Sequence, residues 1–457
     1  MNQAVYFDAT SLIAEELMGK NIVVAGLGHG GIVAAALIAE KGFNVTVYEK
    51  NSEGTLGYDW TDMFDPESLD FAGLPMPSED KFKYKENMTF CGPGCKKALT
   101  QYITEKDMEI IMERKDIYTY LIGIALEKGV KIIYDCEVLG PILTGDRVVG
   151  IKTANGDVAA DMVIDSCGMN SPVRRNLPAG LHIQNNIEDD GKITIYRAFY
   201  NKCSDDEILG KFKIILFAGG HPGISWVASH EDYTDVLIGR FSAFDKAEAV
   251  EFTEFLRRNN SRLGKERLRG GQFVEIPVRH TLSVMVADGY AAIGDCAFMP
   301  VPLIGSGIAN TIRGAKILAD TITADTNEFY SAETLWGYQV EYYKRVGATI
   351  AALECVKANL LKLRPQDVDY LIDSELVTSD DMKILAGLSD KDEITKTLKE
   401  GIPKKIRSIK NHKRLVRVVL GIGANMIKVL AISSRMPEKW DREKVSQWAK
   451  TYDKAFK

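Results

Sequence analysis

Few short stretches restrict a fold as tightly as a glycine-rich turn caught between a buried strand and a helix. In this chain it is Gly26-Leu27-Gly28-His29-Gly30-Gly31. NIVVAG (21–26) leads into it, a β-branched apolar run of the kind buried in parallel sheets. GIVAAALIAEK (31–41) follows as an alanine-rich helix pattern that Gly42 stops, and FNVTVYE (43–49) is a second strand pattern ending at Glu49. Together they form one βαβ unit of about 30 residues. Gly26 permits the tight turn, Gly28 keeps a Cβ away from an approaching pyrophosphate, and Gly31 lets helix and strand pack closely, with Gly30 completing the motif. The N–H groups of the helix start then face the phosphates. Glu49 is positioned to accept hydrogen bonds from both ribose hydroxyls and to repel a 2′-phosphate. His29 reads as a turn residue with no role of its own.

The rest of the chain changes character twice. A long helix is expected over 107–128, a strand over 130–134, and strands over 147–153 and 158–164 joined by the Asn155-Gly156 turn. From 192 to 241 the runs ITIYRAFY, FKIILFAGG, GISWVASH and DVLIGRF read as an antiparallel sheet. A helix near 249–259, a short buried strand at 290–294 and a helix at 307–323 come next. Everything beyond Ala332 has helical character.

The chain has 457 residues, too many for one ordinary core, and carries a formal net charge of −6, which argues against nucleic acid as a partner. Residues 1–20 are mixed and acidic and do not read as a signal peptide. No run of about 18 uninterrupted apolar residues predicts a membrane span. Seven scattered cysteines fit reduced thiols, so a cytoplasmic location is expected. Charge is unevenly spread. Residues 401–457 hold 15 Lys/Arg against 4 Asp/Glu, which sets this segment apart as a surface of its own.

Three more segments bear on the cofactor. RKDIYTYL (114–121) opens a helix with a cation. VIDSCGMNSPVRR (163–175) follows a strand, and AIGDCA (292–297) with PLIGSG (302–307) precedes another helix. With the glycine turn, these segments resemble those of the FAD-dependent geranylgeranyl reductase family, and more widely the aromatic hydroxylases, discontinuously over about 21–323. The resemblance implies FAD. Arg114 would reach it, and Asp165 and Gly168 would close the nucleotide domain against it. Asp295 would hold a ribityl hydroxyl, while Pro302, Gly305, Ser306 and Gly307 bring backbone N–H groups to the flavin's pyrimidine end. Lys50 and Val138 complete the expected cofactor set. The fold implied is α/β plus α+β: a Rossmann-type FAD-binding domain with an inserted antiparallel-sheet substrate domain and a helical C-terminal region. Its expected boundaries are 20–185 for the first part of the FAD domain, with a substrate-side insertion at 56–104. The sheet domain takes 186–279, the second FAD part 280–330, and the helical region 331–457.

The substrate side is less like the family. Many geranylgeranyl reductases carry a cysteine soon after the first βαβ unit and a Y-x-W-x-F-P element in the sheet domain. Here the first region has Gly57-Tyr58-Asp59-Trp60 and the second has Gly223-Ile224-Ser225-Trp226-Val227-Ala228. The Tyr58-Asp59 pair points to a more polar substrate than an isoprenoid lipid. Candidates for chemistry are Tyr58, Asp59, Cys91 in the Cys91-Gly92-Pro93-Gly94-Cys95 loop, His221 and Trp226, each with a packing or loop reading beside it. No metal site is expected, because the two cysteines lack further ligands nearby. The expected reaction is hydride transfer at flavin N5 to or from a carbon–carbon bond of a small organic substrate. An NAD(P)H-dependent flavin monooxygenase is the alternative. No second glycine fingerprint marks a stable nicotinamide site, so the donor is either transiently docked NAD(P)H or a reduced electron-carrier protein. The basic C-terminal segment, around the apolar run 415–432, is either structural or a docking face for an acidic carrier or an anionic membrane surface. The latter would make the protein peripheral at the membrane.

Overall fold

The computed structural model describes residues 20–205, 208–389 and 391–456. All but one residue of the 1–20 stretch discussed above lies outside them.

The glycine turn sits where its neighbours require it. Asn21–Ala25 is the strand before it and His29–Ala39 the helix after it, with Asn44–Tyr48 as the parallel partner strand. These strands belong to a six-stranded sheet, ordered Val286–Ala287, Tyr290–Ala292, Met162–Asp165, Asn21–Ala25, Asn44–Tyr48, Lys131–Ile133. All neighbours are parallel except the first pair, a hairpin at one edge. Strands more than 100 residues apart in sequence therefore lie side by side. Helix His29–Ala39 is buried almost all round, which explains a sequence too uniformly apolar to show a polar face.

The second sheet has seven strands, ordered Leu263–Pro277, Lys192–Lys202, Tyr233–Arg240, Gly223–Ser229, Phe212–Leu216, Met88–Cys91, Ala98–Gln101. The four runs read as an antiparallel sheet pair in that way. Two additions differ from expectation. Met88–Cys91 and Ala98–Gln101 come from the early insertion, and Met88–Cys91 joins Phe212–Leu216 in parallel. Leu263–Pro277 was not legible because most of its side chains are exposed or only half-buried and Gly270 and Gly271, at φ 73° and 87°, bulge it. The division at 20–185, 186–279, 280–330 and 331–457 remains a proposal about sequence segments, since the large sheet draws strands from two of them.

Two further expectations are corrected. The helix placed at 107–128 begins only at Arg114, and Ile110–Glu113 before it is a strand between Thr61–Phe64 and Phe82–Tyr84. The run 158–164 is two strands in different sheets, Gly156–Ala159 and Met162–Asp165. Towards the C-terminus, a 21-residue helix runs unbroken over Lys413–Ser433, through Gly421 and Gly423.

The C-terminal helices share the core of the nucleotide fold. Tyr338 Oη donates to Ala292 O at 3.0 Å and Tyr343 Oη to Leu282 O at 2.8 Å, so helix Ala332–Tyr342 and its continuation are fastened to the strand-end segment. Asp165 ends its strand fully buried. It accepts from Ser171 Oγ (2.5 Å), Arg174 N (3.1 Å) and Tyr290 Oη (3.0 Å).

Candidate functional site

Parallel strands leave a crevice beyond their carboxyl ends, and here it is a cavity of about 710 Å³. The glycine turn forms one wall. Gly26 adopts φ 82°, and a Cβ there would lie 2.8 Å from Ser166 O. A Cβ at Gly28 would lie 2.5 Å from Ser166 Oγ, and one at Gly31 would lie 2.7 Å from Ser166 Cβ. Ser166, unremarked in the sequence, is thus the residue against which the turn is moulded, and its Oγ accepts from Gly31 N at 3.2 Å. Glu49 spans the turn from the next strand. Its Oε2 accepts from Leu27 N (2.8 Å) and its Oε1 from Asn51 N (2.8 Å). One carboxylate thereby fixes the turn and still borders the cavity.

The opposite wall is Asp295 with Gly305, Gly307 and the start of helix Ile308–Thr323, whose first-turn amides have no acceptor within the helix. Burial raises the Asp295 carboxyl to about 6, against an opposing pull from Arg114. Arg114 opens its helix but points at Asp62, bound through Nε–Oδ2 (2.6 Å) and Nη2–Oδ1 (2.7 Å), with its guanidinium over the Tyr58 ring at 5.1 Å. It is a neutralised cation at the cavity edge rather than a free one. From the large sheet, Val274–Ile276 reach the same cavity.

His29 is the residue that sequence reading passed over. It lines the cavity, stacks on Tyr118 at 4.6 Å, and its Nε2 has no hydrogen-bond partner among the described residues. Burial, helped by Arg114 and opposed by Asp62, lowers its pKa to about 4, so the ring is neutral at physiological pH. An orphaned nitrogen beside a glycine cradle is what a bound polar ligand would satisfy. Its only signal was its place inside the motif.

Of the expected cofactor residues, Gly26, Gly28, Gly30, Glu49, Lys50 and Arg114 line this cavity, as do Val138, Gly168, Asp295, Gly305 and Gly307. Gly31, Asp165, Pro302 and Ser306 do not. Gly31 serves packing, Asp165 is a buried fastening, and Ser306 lines a second cavity of about 420 Å³. Among the candidates for chemistry only Tyr58 is in the first cavity. Asp59 ties the insertion to the sheet, accepting from Arg269 Nη1 and Gly270 N, both at 3.1 Å. Cys91 is buried in its strand; Gly94 N of the loop donates to Asp369 Oδ1 at 2.8 Å. His221 is exposed, edge-on to Phe252 at 6.1 Å. Trp226 lies in the sheet beneath the Arg197 guanidinium, 5.0 Å away.

The half-buried Asp295 has a consequence for stability. Its folded pKa lies above the ordinary carboxylate value, so its contribution is complete below about pH 4 and is lost as pH rises through 6. Apo-protein is expected to lose on the order of 2 kcal/mol between those limits, allowing for partial solvent screening. Asp295→Asn should remove that loss. Urea titrations of both proteins at each pH check it, and parallel pH profiles would contradict it.

No family model matches the chain. It is 25% identical over 382 residues to a digeranylgeranylglycerophospholipid reductase of Methanothrix thermoacetophila, covering 80% of this chain and 94% of that protein. The corresponding reductase of Sulfolobus acidocaldarius is 22% identical over 378 residues, 79% of this chain and 82% of that one. In structure the chain is similar to a geranylgeranyl bacteriochlorophyll reductase-like protein of Thermoplasma acidophilum, with TM-score 0.70, 21% identity, and coverage of 86% of this chain and 99% of that one. The chain is thus similar over most of its length to named reductases of geranylgeranyl lipids and shares the fold of FAD-binding flavoproteins. More distantly, its fold is shared by a probable FAD-dependent monooxygenase of Pseudomonas aeruginosa, with TM-score 0.58, 19% identity, and coverage of 78% of this chain and 100% of that one.

Proposed function

We propose that this flavoprotein hydrogenates carbon–carbon double bonds of a prenyl lipid. The observation that carries the reading is the kinship with named prenyl-lipid reductases over four-fifths of the chain. The cavity fits it. The glycine turn, Glu49 and the amides at Gly307 would hold the two ends of FAD, with Asp295 between them. Bound and reduced, the flavin supplies hydride at N5. Val274, Ile276 and Leu56 supply apolar surface at the sheet side of the cavity for a hydrocarbon chain. Asp59, one half of the Tyr58-Asp59 pair that pointed to a more polar substrate, is engaged with Arg269 and does not line the cavity.

The proton that completes the addition needs an acid at the cavity, and we assign it to the Tyr58 hydroxyl. Burial raises its pKa, so it remains protonated, while Arg114 steadies the tyrosinate left behind. Solvent then reprotonates it.

The test is anaerobic reduction of the yellow protein by NADH, NADPH and reduced ferredoxin in parallel, followed by reoxidation with geranylgeranyl lipids. The expected product gains two hydrogens per double bond. Tyr58→Phe should keep its flavin and lose turnover by about 10²-fold. In a parallel aerobic assay, a product that instead gains oxygen, with oxygen consumed, would favour the monooxygenase reading.

A further inference from the structure

Residues 401–437 contain nine Lys/Arg and no Asp or Glu, in a chain whose net charge is −6. Their centre is the 21-residue helix Lys413–Ser433, which by length and composition could cross a membrane. One face of it is committed to the protein. Leu415, Val418, Met426 and Val429 are buried, and a Cβ on Gly421 would lie 2.7 Å from Asn359 Oδ1 of helix Ala348–Leu360, so the Asn359 side chain packs directly on the Gly421 backbone. The opposite stripe, at three- and four-residue spacing, is exposed: Arg417, Leu420, Ala424, Ile427 and Ala431. Leu420 is 51% and Ile427 58% exposed. Lys413, Arg417, Lys428 and Arg435 bracket these apolar side chains, are exposed, and form no ion pair among the described residues. Nearby Lys405 and Arg414 are instead spent on Asp381 and Asp367.

We propose that this face docks on an anionic phospholipid bilayer, with the helix lying flat in the interface. An apolar stripe flanked by cations matches an acyl boundary below anionic headgroups. A span is disfavoured because it would carry Arg417 and Lys428, three turns apart on the exposed face, into hydrocarbon and would strip the buried face from its partner helix. The surface also has a place in the proposed reaction, and that part rests on the prenyl-lipid reading. Helix Ala348–Leu360 presents Thr349, Ile350 and Leu353 to the second cavity, which is bounded on its other side by Val301 and Ser306 of the turn adjoining the cofactor cavity. The docked helix therefore stands one helix diameter, about 10 Å, from a cavity that adjoins the flavin site.

The experiment is co-sedimentation of the full-length protein with phosphatidylcholine vesicles, with and without phosphatidylglycerol, at low and high salt. Binding is expected only with phosphatidylglycerol, and it should fall at least about tenfold at high salt. Arg417→Glu combined with Lys428→Glu should weaken it by about 25-fold or more, and Leu420→Asp combined with Ile427→Asp comparably. All four positions are exposed, so circular dichroism should be unchanged. Absence of binding, equal salt-insensitive binding to both vesicles, or variants that bind like the wild type would overturn the proposal. So would salt-dependent reduction by an acidic carrier protein without vesicle binding. Turnover of a detergent-dispersed short prenyl substrate must be the same in wild type and variants. Its absence from the wild type would count against the reductase reading and leave the docking result intact.

Discussion

Gly28→Val protein is expected to purify colourless. Valine brings a Cβ to within 2.5 Å of Ser166 Oγ and sets two methyl groups at the phosphate side of the turn. FAD occupancy should fall by at least about tenfold, equivalent to roughly 1.4 kcal/mol of binding. The first clash is internal, so loss of flavin could follow from a damaged turn as well as a blocked cradle. Ser166→Ala separates the two. It removes the Oγ that valine meets, at the cost of the 3.2 Å bond from Gly31 N, about 1 kcal/mol. Ser166→Ala alone should stay yellow, and Gly28→Val with Ser166→Ala should fold and still lack flavin. The measurement is the flavin absorbance per protein, with circular dichroism as the control. A fully yellow double variant would remove the glycine turn from the cofactor site.

Asp235→Ala is expected to destabilise the apo-protein by about 3–5 kcal/mol. Asp235 and Arg197 are 3% and 8% exposed and pair through Oδ1–Nε (3.0 Å) and Oδ2–Nη2 (2.6 Å). The same guanidinium donates to Thr61 O and to Thr61 Oγ1 (2.7 Å) and lies among Trp60, Phe199 and Trp226. Removing the carboxylate strands a charge between the large sheet and the insertion strand that leads from Tyr58. Replacing both partners, Arg197→Met with Asp235→Leu, should recover most of the loss, since the pair's attraction largely offsets its desolvation. Urea midpoints read both effects. A single variant within about 1 kcal/mol of wild type would mean that water reaches the guanidinium.

The candidate site was legible to different depths for different physical reasons. The glycines, Glu49, Asp295 and Arg114 stood out because backbone geometry, strand ends and helix starts restrict residue type locally. Their partners did not. Asp62 is the counter-ion of Arg114, and Ser166 is the mould of the turn, yet neither belongs to a pattern that spacing reveals. Asp165 and Ser306 differ in the other direction. Both sit in the right motif, but one is consumed by internal hydrogen bonds and the other faces the second cavity. Asp59 was grouped with Tyr58 as a candidate for chemistry, but it accepts from Arg269 and Gly270 while only Tyr58 lines the cavity.

By itself the sequence determined the βαβ start and the resemblance to the reductases, because a strand–glycine turn–helix must be encoded in consecutive residues. It also marked the C-terminal segment as basic and apolar. Only the tertiary structure decided which face of Lys413–Ser433 is buried and which is bare. It alone made one sheet from residues 88–101 and 192–277, and stacked His29 on Tyr118 at the cavity wall. Those outcomes depend on contacts between residues tens to hundreds of positions apart, whose energies are comparable for many pairings and are settled only when the whole core packs at once.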